Sequence, residues 1–235
     1  NQMINNQEIN AEIMYLNAKC SKELFLADAI PLYNKLNETF PYHQFKNEVY
    51  KDMAFIYYRE KKYKEAISSF LKVKSLSDEG LFKLAYSYFS MDSLVEAQLY
   101  FSNIMNAEMK FAAPSKYYYA YIAYEREMYT SALENFTKLL DDDKFGSIVP
   151  YYISQIYFYQ EKYEQLIKFA KPLSENVISS RKSEINRLLA EAYYQTSDFE
   201  NAAYHFEVFI SEEKDVSSLV YFLLGNSYFK VEDYE

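Results

Sequence analysis

Tryptophan is absent from these 235 residues, glycine occurs three times, proline five times and cysteine once. A sheet protein of this length needs more turn-forming Gly and Pro than that, so the chain reads as helices joined by short polar turns. The single Cys20 cannot close an intramolecular disulfide, which leaves the redox compartment open. No apolar run approaches the ~20 residues that span a bilayer. Positive charge is scarce too: 25 Lys and Arg face 34 Asp and Glu, for a net charge of -9 and a pI near 5.0. Phosphate backbones repel such a surface and no Lys/Arg cluster offsets it, which argues against nucleic acid and against an anionic membrane as partners. The final 36 residues carry eight carboxylates against two lysines. They read as a solvated face, or else as an attraction to basic partners. The opening, Asn1 to Glu8, has neither an initiator Met nor the basic-then-apolar pattern of a signal peptide, so a mature or excised segment is expected.

Chemistry-bearing residues are equally sparse. Only His43 and His205 supply imidazoles, one after Pro41-Tyr42 in an expected turn and one in a helix beside Phe206. Both read as structural. No H-E-x-x-H, no zinc-spaced Cys pair and no glycine-rich phosphate loop occurs. Asp141-Asp142-Asp143 lacks the alternate spacing and the glycine of a calcium loop, and reads as a polar turn between helices. Asn37-Glu38-Thr39 and Asn135-Phe136-Thr137 match a glycosylation tripeptide, but such matches are common by chance. The expectation is therefore of no catalytic residue, no metal and no cofactor: not an enzyme.

What is present in quantity is aromatic: 27 Tyr and 18 Phe in a chain that is 50% apolar. They recur in a pattern. A large apolar residue precedes a small one, an aromatic follows three positions later, then come a polar turn, an Ala and another aromatic. Met53-Ala54 leads to Tyr57, the turn Glu60-Lys61-Lys62, Ala66 and Phe70; Leu84-Ala85 leads to Tyr88, Ala97 and Phe101. Tyr119-Ala120 leads to Ala132 and Phe136, with Ala123 in the first aromatic position, and Leu189-Ala190 leads to Tyr193, Ala202 and Phe206. Ile153-Ser154 with Tyr157, Leu166 and Ala170 is a weaker copy. Leu16-Asn17 with Cys20, Ala29 and Tyr33 is the weakest, and it puts Cys20 in a packed position. Leu224-Gly225 leads to Tyr228, and Glu235 falls before the next Ala, so continuation past Glu235 is expected. The small residues Asn17, Ala54, Ala85, Ala120, Ser154, Ala190 and Gly225 lie 37, 31, 35, 34, 36 and 35 residues apart.

That period and those positions resemble the tetratricopeptide-repeat (TPR) family, whose 34-residue unit is a helical hairpin. The resemblance implies an all-α, right-handed superhelical solenoid of antiparallel helix pairs. About six complete repeats (10–46, 47–77, 78–112, 113–146, 147–182 and 183–217) and a truncated seventh (218–235) make one domain over 1–235. The packing reason is direct: two helices approach closely where each offers a small residue, as Ala54 can to Ala66. Pro114 and Pro150 fall at first turns, where proline is tolerated. Pro31 and Pro172 fall in or near second helices and are expected to make those hairpins irregular.

A second stripe runs beside the small residues at i, i+4 and i+7. Its triplets are Lys51, Phe55, Tyr58; Phe82, Tyr86, Phe89; Tyr117, Tyr121, Tyr124; Tyr151, Gln155, Phe158; Arg187, Glu191, Tyr194; and Phe222, Asn226, Phe229. Thirteen of the eighteen are aromatic against 19% for the chain, so this face is not simply solvated. Either neighbouring helices bury it or a partner does. In TPR proteins this stripe lines the concave groove, which implies a partner-binding site, with the partner contact expected on the central triplets, Phe82 through Phe158. A carboxylate-clamping groove is disfavoured, because Lys51 is followed by Phe55 and not by Asn. Cys20 to Ala29, Phe82 to Tyr86, Tyr117 to Tyr124 and Pro150 to Tyr157 also resemble the N-terminal part of the long many-repeat TPR proteins of the bacterial cell envelope. That resemblance implies a periplasmic or envelope location, with the cytoplasm as the alternative. The function it implies is a non-enzymatic scaffold for a protein or peptide segment. The rivals are a sensory arm of a signalling protein and a glycan-binding surface protein, the latter disfavoured by the missing Trp.

Overall fold

The computed structural model describes residues 2–106, 110–174 and 181–232, with backbone only for 2–5 and 232. Glu235, where the seventh repeat was expected to stop, lies outside them. Among the described residues there are thirteen α-helices and no strand. They divide between two compact units, Asn1–Ser115 and Lys116–Glu235. The first holds α1 (Gln2–Glu23), α2 (Ala29–Thr39), α3 (Lys46–Arg59), α4 (Tyr63–Phe70), α5 (Asp78–Ser90) and α6 (Leu94–Ser102). The division falls within the first turn of α7 (Ala112–Glu125). The second unit continues with α8 (Tyr129–Thr137), α9 (Val149–Tyr159), α10 (Tyr163–Ser174), α11 (Lys182–Gln195), α12 (Phe199–Glu212) and α13 (Ser218–Glu232).

Small residues set where helices touch. Ala54, Ala85, Ala120, Ser154 and Ala190 on first helices are fully buried, as are Ala66, Ala97, Ala132, Leu166 and Ala202 on second helices. Phe70, Phe101, Phe136 and Phe206 fill the space beyond them, each at 0% exposure. Burial of one such ring contributes up to ~3 kcal/mol. Gly225 on α13 is exposed, with open space where a Cβ would stand.

Six first helices, α1, α3, α5, α7, α9 and α11, end the same way. Phe25, Lys61, Asp92, Glu127, Glu161 and Ser197 have φ between 54° and 63°. Each donates its N–H to the carbonyl three residues back, as Lys61 does to Tyr58 at 3.0 Å. The next residue reaches five back, as Lys62 does to Tyr57 at 2.9 Å. This left-handed C-terminal motif satisfies carbonyls the helix would otherwise leave open. None of the six residues is glycine, so each pays a steric cost of ~1 kcal/mol.

The same motif corrects the first unit. Phe25 stands seven residues after Ala18, as Lys61 does after Ala54, and it is Ala18 that is buried at 0% while Asn17 is exposed. The expected register was off by one because Ala29 follows its left-handed residue by four positions, where Ala66 follows Lys61 by five. Cys20 therefore sits outside the packed position and is exposed; Ser21 occupies it, 5% exposed. Both second-helix prolines are accommodated within their helices. Pro31 is the third residue of α2, where its missing N–H would have had no partner, and Pro172 falls in the last turn of α10, which continues to Ser174.

Caps and turns absorb the remaining polar groups. Ser77 Oγ accepts from Gly80 N at the start of α5, and Asp198 Oδ1 from Asn201 N at the start of α12. Between α8 and α9, Asp142 Oδ1 accepts from the N–H groups of Lys144 (2.9 Å) and Phe145 (3.0 Å). Asp142 thus orders the turn that its acidic cluster predicted.

Candidate functional site

The stripe residues begin as a consequence of helical spacing: positions three before, one after and four after each small residue share a face. In the first unit this places Phe55, Tyr58, Phe82, Tyr86 and Phe89 together, and all five are half-buried. Tyr86 meets Tyr58 and Tyr63 edge-on at 6.0 and 6.2 Å, and Phe82 at 6.3 Å. The Lys83 ammonium lies 4.2 Å from the Phe55 ring centre and is held by Glu79 at 2.8 Å. In the second unit Tyr117, Tyr121, Tyr124, Tyr151, Phe158 and Tyr194 are likewise half-buried. Tyr152, which the stripe omits, is buried and touches Tyr117, Tyr121 and Tyr124 within 6.3 Å.

Two recurrent contacts pin these rows. An aromatic at the first position of the second helix braces the last ring of the triplet: Tyr63 on Tyr58, Tyr129 on Tyr124, Tyr163 on Phe158 and Phe199 on Tyr194, with centroids 5.6–6.4 Å apart. The sequence carries that signal as two aromatics five residues apart. A phenylalanine from the connection to the next hairpin covers the first ring: Phe45 on Tyr15, Phe111 on Phe82 and Phe145 on Tyr117, at 4.4, 5.3 and 4.6 Å.

Hydroxyls are placed as firmly. Tyr124 donates to Gln155 Oε1 at 2.7 Å, and Gln155 Nε2 donates to the Tyr151 oxygen at 2.7 Å. Asn226 donates to the Tyr194 oxygen at 2.6 Å. Burial, and then the hydrogen bond its hydroxyl donates to the neighbouring Tyr152, hold the Tyr117 phenol well above its ordinary range. Burial with Glu125 beside it pushes Tyr121 up to about 12. These phenols stay protonated donors at any physiological pH.

Polar members interrupt the rows at either end. Lys51 is exposed, Arg187 pairs with Glu191 within α11, and Phe222 and Phe229 on α13 are 65% and 59% exposed. The corrected register adds Tyr15, Lys19 and Lys22, which the sequence reading missed. They join Lys51, Asp52 and Phe55 in a cleft of about 350 Å³. There Asp52 accepts from Lys22 Nζ at 2.8 Å and from the Tyr33 hydroxyl at 2.7 Å, tying α1, α2 and α3 together.

Hairpins closed by one repeated turn, with small residues on the first helices where they cross, match known solved structures. MamA AMB-1 is similar at 13% identity over 76% of this chain and 97% of its own, with a TM-score of 0.62. Pseudomonas aeruginosa pilF is similar at 13% identity over 99% of this chain and 100% of its own, with a TM-score of 0.55. Both are TPR proteins. The chain has the tetratricopeptide-repeat fold. At this identity the likeness is one of TPR architecture alone, and no protein-family profile and no curated protein sequence matches the chain.

His43 and His205 are spent on the TPR framework. His43, 9% exposed, lies 3.0 Å through Nε2 from Asn37 Oδ1. His205 Nδ1 is 2.8 Å from Asn186 Oδ1, and its ring stacks on Tyr193 at 5.4 Å. Among the described residues no three or more His, Cys, Asp or Glu side chains gather as a metal site, and no helix is long and apolar enough to cross a membrane.

Proposed function

We propose that the chain is a non-enzymatic scaffold whose TPR repeats, divided as the sequence period suggests, hold a segment of a partner protein against the aromatic rows. One observation carries this reading: in both units the row aromatics from Phe55 to Tyr194 stop at half-burial, although the small residues and phenylalanines of the frame beneath them are fully buried. The rows are also braced by second-helix aromatics and loop phenylalanines, so a partner meets rings already held in place and the ordering cost of binding is small. Half-buried Tyr and Phe beside a polar rim is the composition of protein-binding hot spots. The resemblance to envelope proteins extends the proposal to a bacterial envelope location, which cell fractionation tests.

The deciding experiment is crosslinking capture from native cells with the parent and a Tyr86→Ala, Tyr121→Ala, Phe158→Ala variant. Loss of specific partners, with helicity and melting temperature retained, supports the scaffold. A folded variant that keeps every partner sinks it.

A further inference from the structure

Helix α1 has two apolar faces. One, with Ala11, Tyr15 and Ala18, packs into the first unit's core. The other carries Ile9, Ile13, Leu16 and Cys20, and continues to Leu24 just past the helix end. Ile9, Ile13, Leu16 and Leu24 are 47%, 59%, 49% and 68% exposed, and Cys20 is exposed as well. At 100° per residue the two faces lie on opposite sides of the helix. Isolated exposed apolar residues are ordinary, but a continuous stripe along four turns marks a contact surface.

Its counterpart on the next first helix shows what such a face does. Relative to the small residues Ala18 and Ala54, Ile13 and Cys20 occupy the places of Val49 and Ile56. Val49 and Ile56 are 0% and 4% exposed because they pack in one cluster with residues of α1 and α2. On α1 the same positions, Ile13 and Cys20, are exposed.

The spacing and the charges select an occupant. Ile9, Ile13, Leu16 and Cys20 are separated by four, three and four residues, the alternation of a coiled-coil seam. We propose that two copies of the chain pair through this face, with their α1 helices antiparallel. Ile13 of each copy then sits in a layer with Leu16 of the other, and Ile9 in a layer with Cys20. Flanking the seam on one side, Glu12 of each copy meets Lys19 of the other. On the other side Asn10 meets Asn17, so no like charges oppose. A parallel pair would set Glu12 beside Asn17 and Lys19 beside Leu24, and would lose both ion pairs.

Light scattering across a concentration series of the 235-residue chain tests this. The proposal expects the mass to rise toward twice 28.0 kDa. It also expects an Ile13→Glu, Leu16→Glu variant, both positions being exposed, to stay monomeric with unchanged helicity. Glu12→Lys should weaken association at low salt, and adding Lys19→Glu should restore it. Orientation is read by oxidation. Ile9→Cys should give a covalent dimer through Cys20, whereas the parent should not, because antiparallel pairing separates the two Cys20 residues by about 16 Å along the axis. A parent that is monomeric throughout overturns the proposal, and so does a dimer that survives Ile13→Glu, Leu16→Glu, since that dimer uses another face. A parent that crosslinks through Cys20 overturns the antiparallel arrangement.

Discussion

Phe145 lies nearly flat on Tyr117, with ring centroids 4.6 Å apart and planes at 16°. The contact joins a connecting turn to the aromatic row, and the geometry of that turn decides whether it forms. Gly146, next in the chain, donates its N–H to Asp142 O at 2.8 Å.

A Cβ at Gly146 would stand 2.5 Å from Leu140 O and 2.7 Å from Asp142 O, both backbone atoms. Gly146→Ala is therefore expected to cost ~1–3 kcal/mol and to move Phe145 off Tyr117. Gly225→Ala, with nothing within 4 Å of the new atom inside α13, should stabilise by up to ~1 kcal/mol. Urea unfolding of the two variants checks the contrast, and equal effects would show the turn to be less constrained than its geometry.

Lys61 holds φ 58° at the end of α3. Lys61→Gly removes a steric cost that exceeds the extra unfolded-state entropy of glycine, for a gain of ~0.5–1 kcal/mol. Lys61→Val should lose at least as much, because a β-branched residue fits that conformation worst. A midpoint shift of the same sign in both variants would contradict the repeated turn.

Tyr124 and Gln155 are a buried-side hydrogen-bonded pair at 2.7 Å, with Gln155 only 9% exposed. Tyr124→Phe leaves the Gln155 carbonyl without that donor, at ~1–3 kcal/mol. Adding Gln155→Leu should cost less than the two single changes combined, and a double-mutant cycle that gives strict additivity would rule out the coupling.

Burial, reinforced by Lys171, lowers the His205 imidazole to about 4, with Asp198 opposing. Its folded value lies below the ~6.5 of an unfolded chain, so protonation favours unfolding. The stability contributed by neutral His205 is complete above pH ~6.5 and is lost as pH falls toward 4. Between pH 7 and 4.5 the parent should lose ~2 kcal/mol more than His205→Gln, in which His43 and the carboxylates still titrate as in the parent. Parallel pH profiles for the two proteins would contradict this role.

The sequence by itself determined the helical class, the repeat and the two faces of each first helix, because these rest on local spacing. Small residues at one period, as at Ala54, Ala85 and Ala190, leave a hairpin little choice about where its helices cross. It also exposed the aromatic rows, but not their bracing, although the spacing from Tyr58 to Tyr63 and from Tyr124 to Tyr129 was there to be read. Tertiary structure alone decided the rest. Ala18 and not Asn17 is the crossing residue, because the first connection is one residue shorter, and that single step turned Cys20 outward and brought Tyr15, Lys19 and Lys22 into the row. The coverage of Tyr117 by Phe145 depends on how a turn folds back across 28 residues of chain. No pattern of local spacing encodes such a contact, since it is fixed by the backbone path between hairpins.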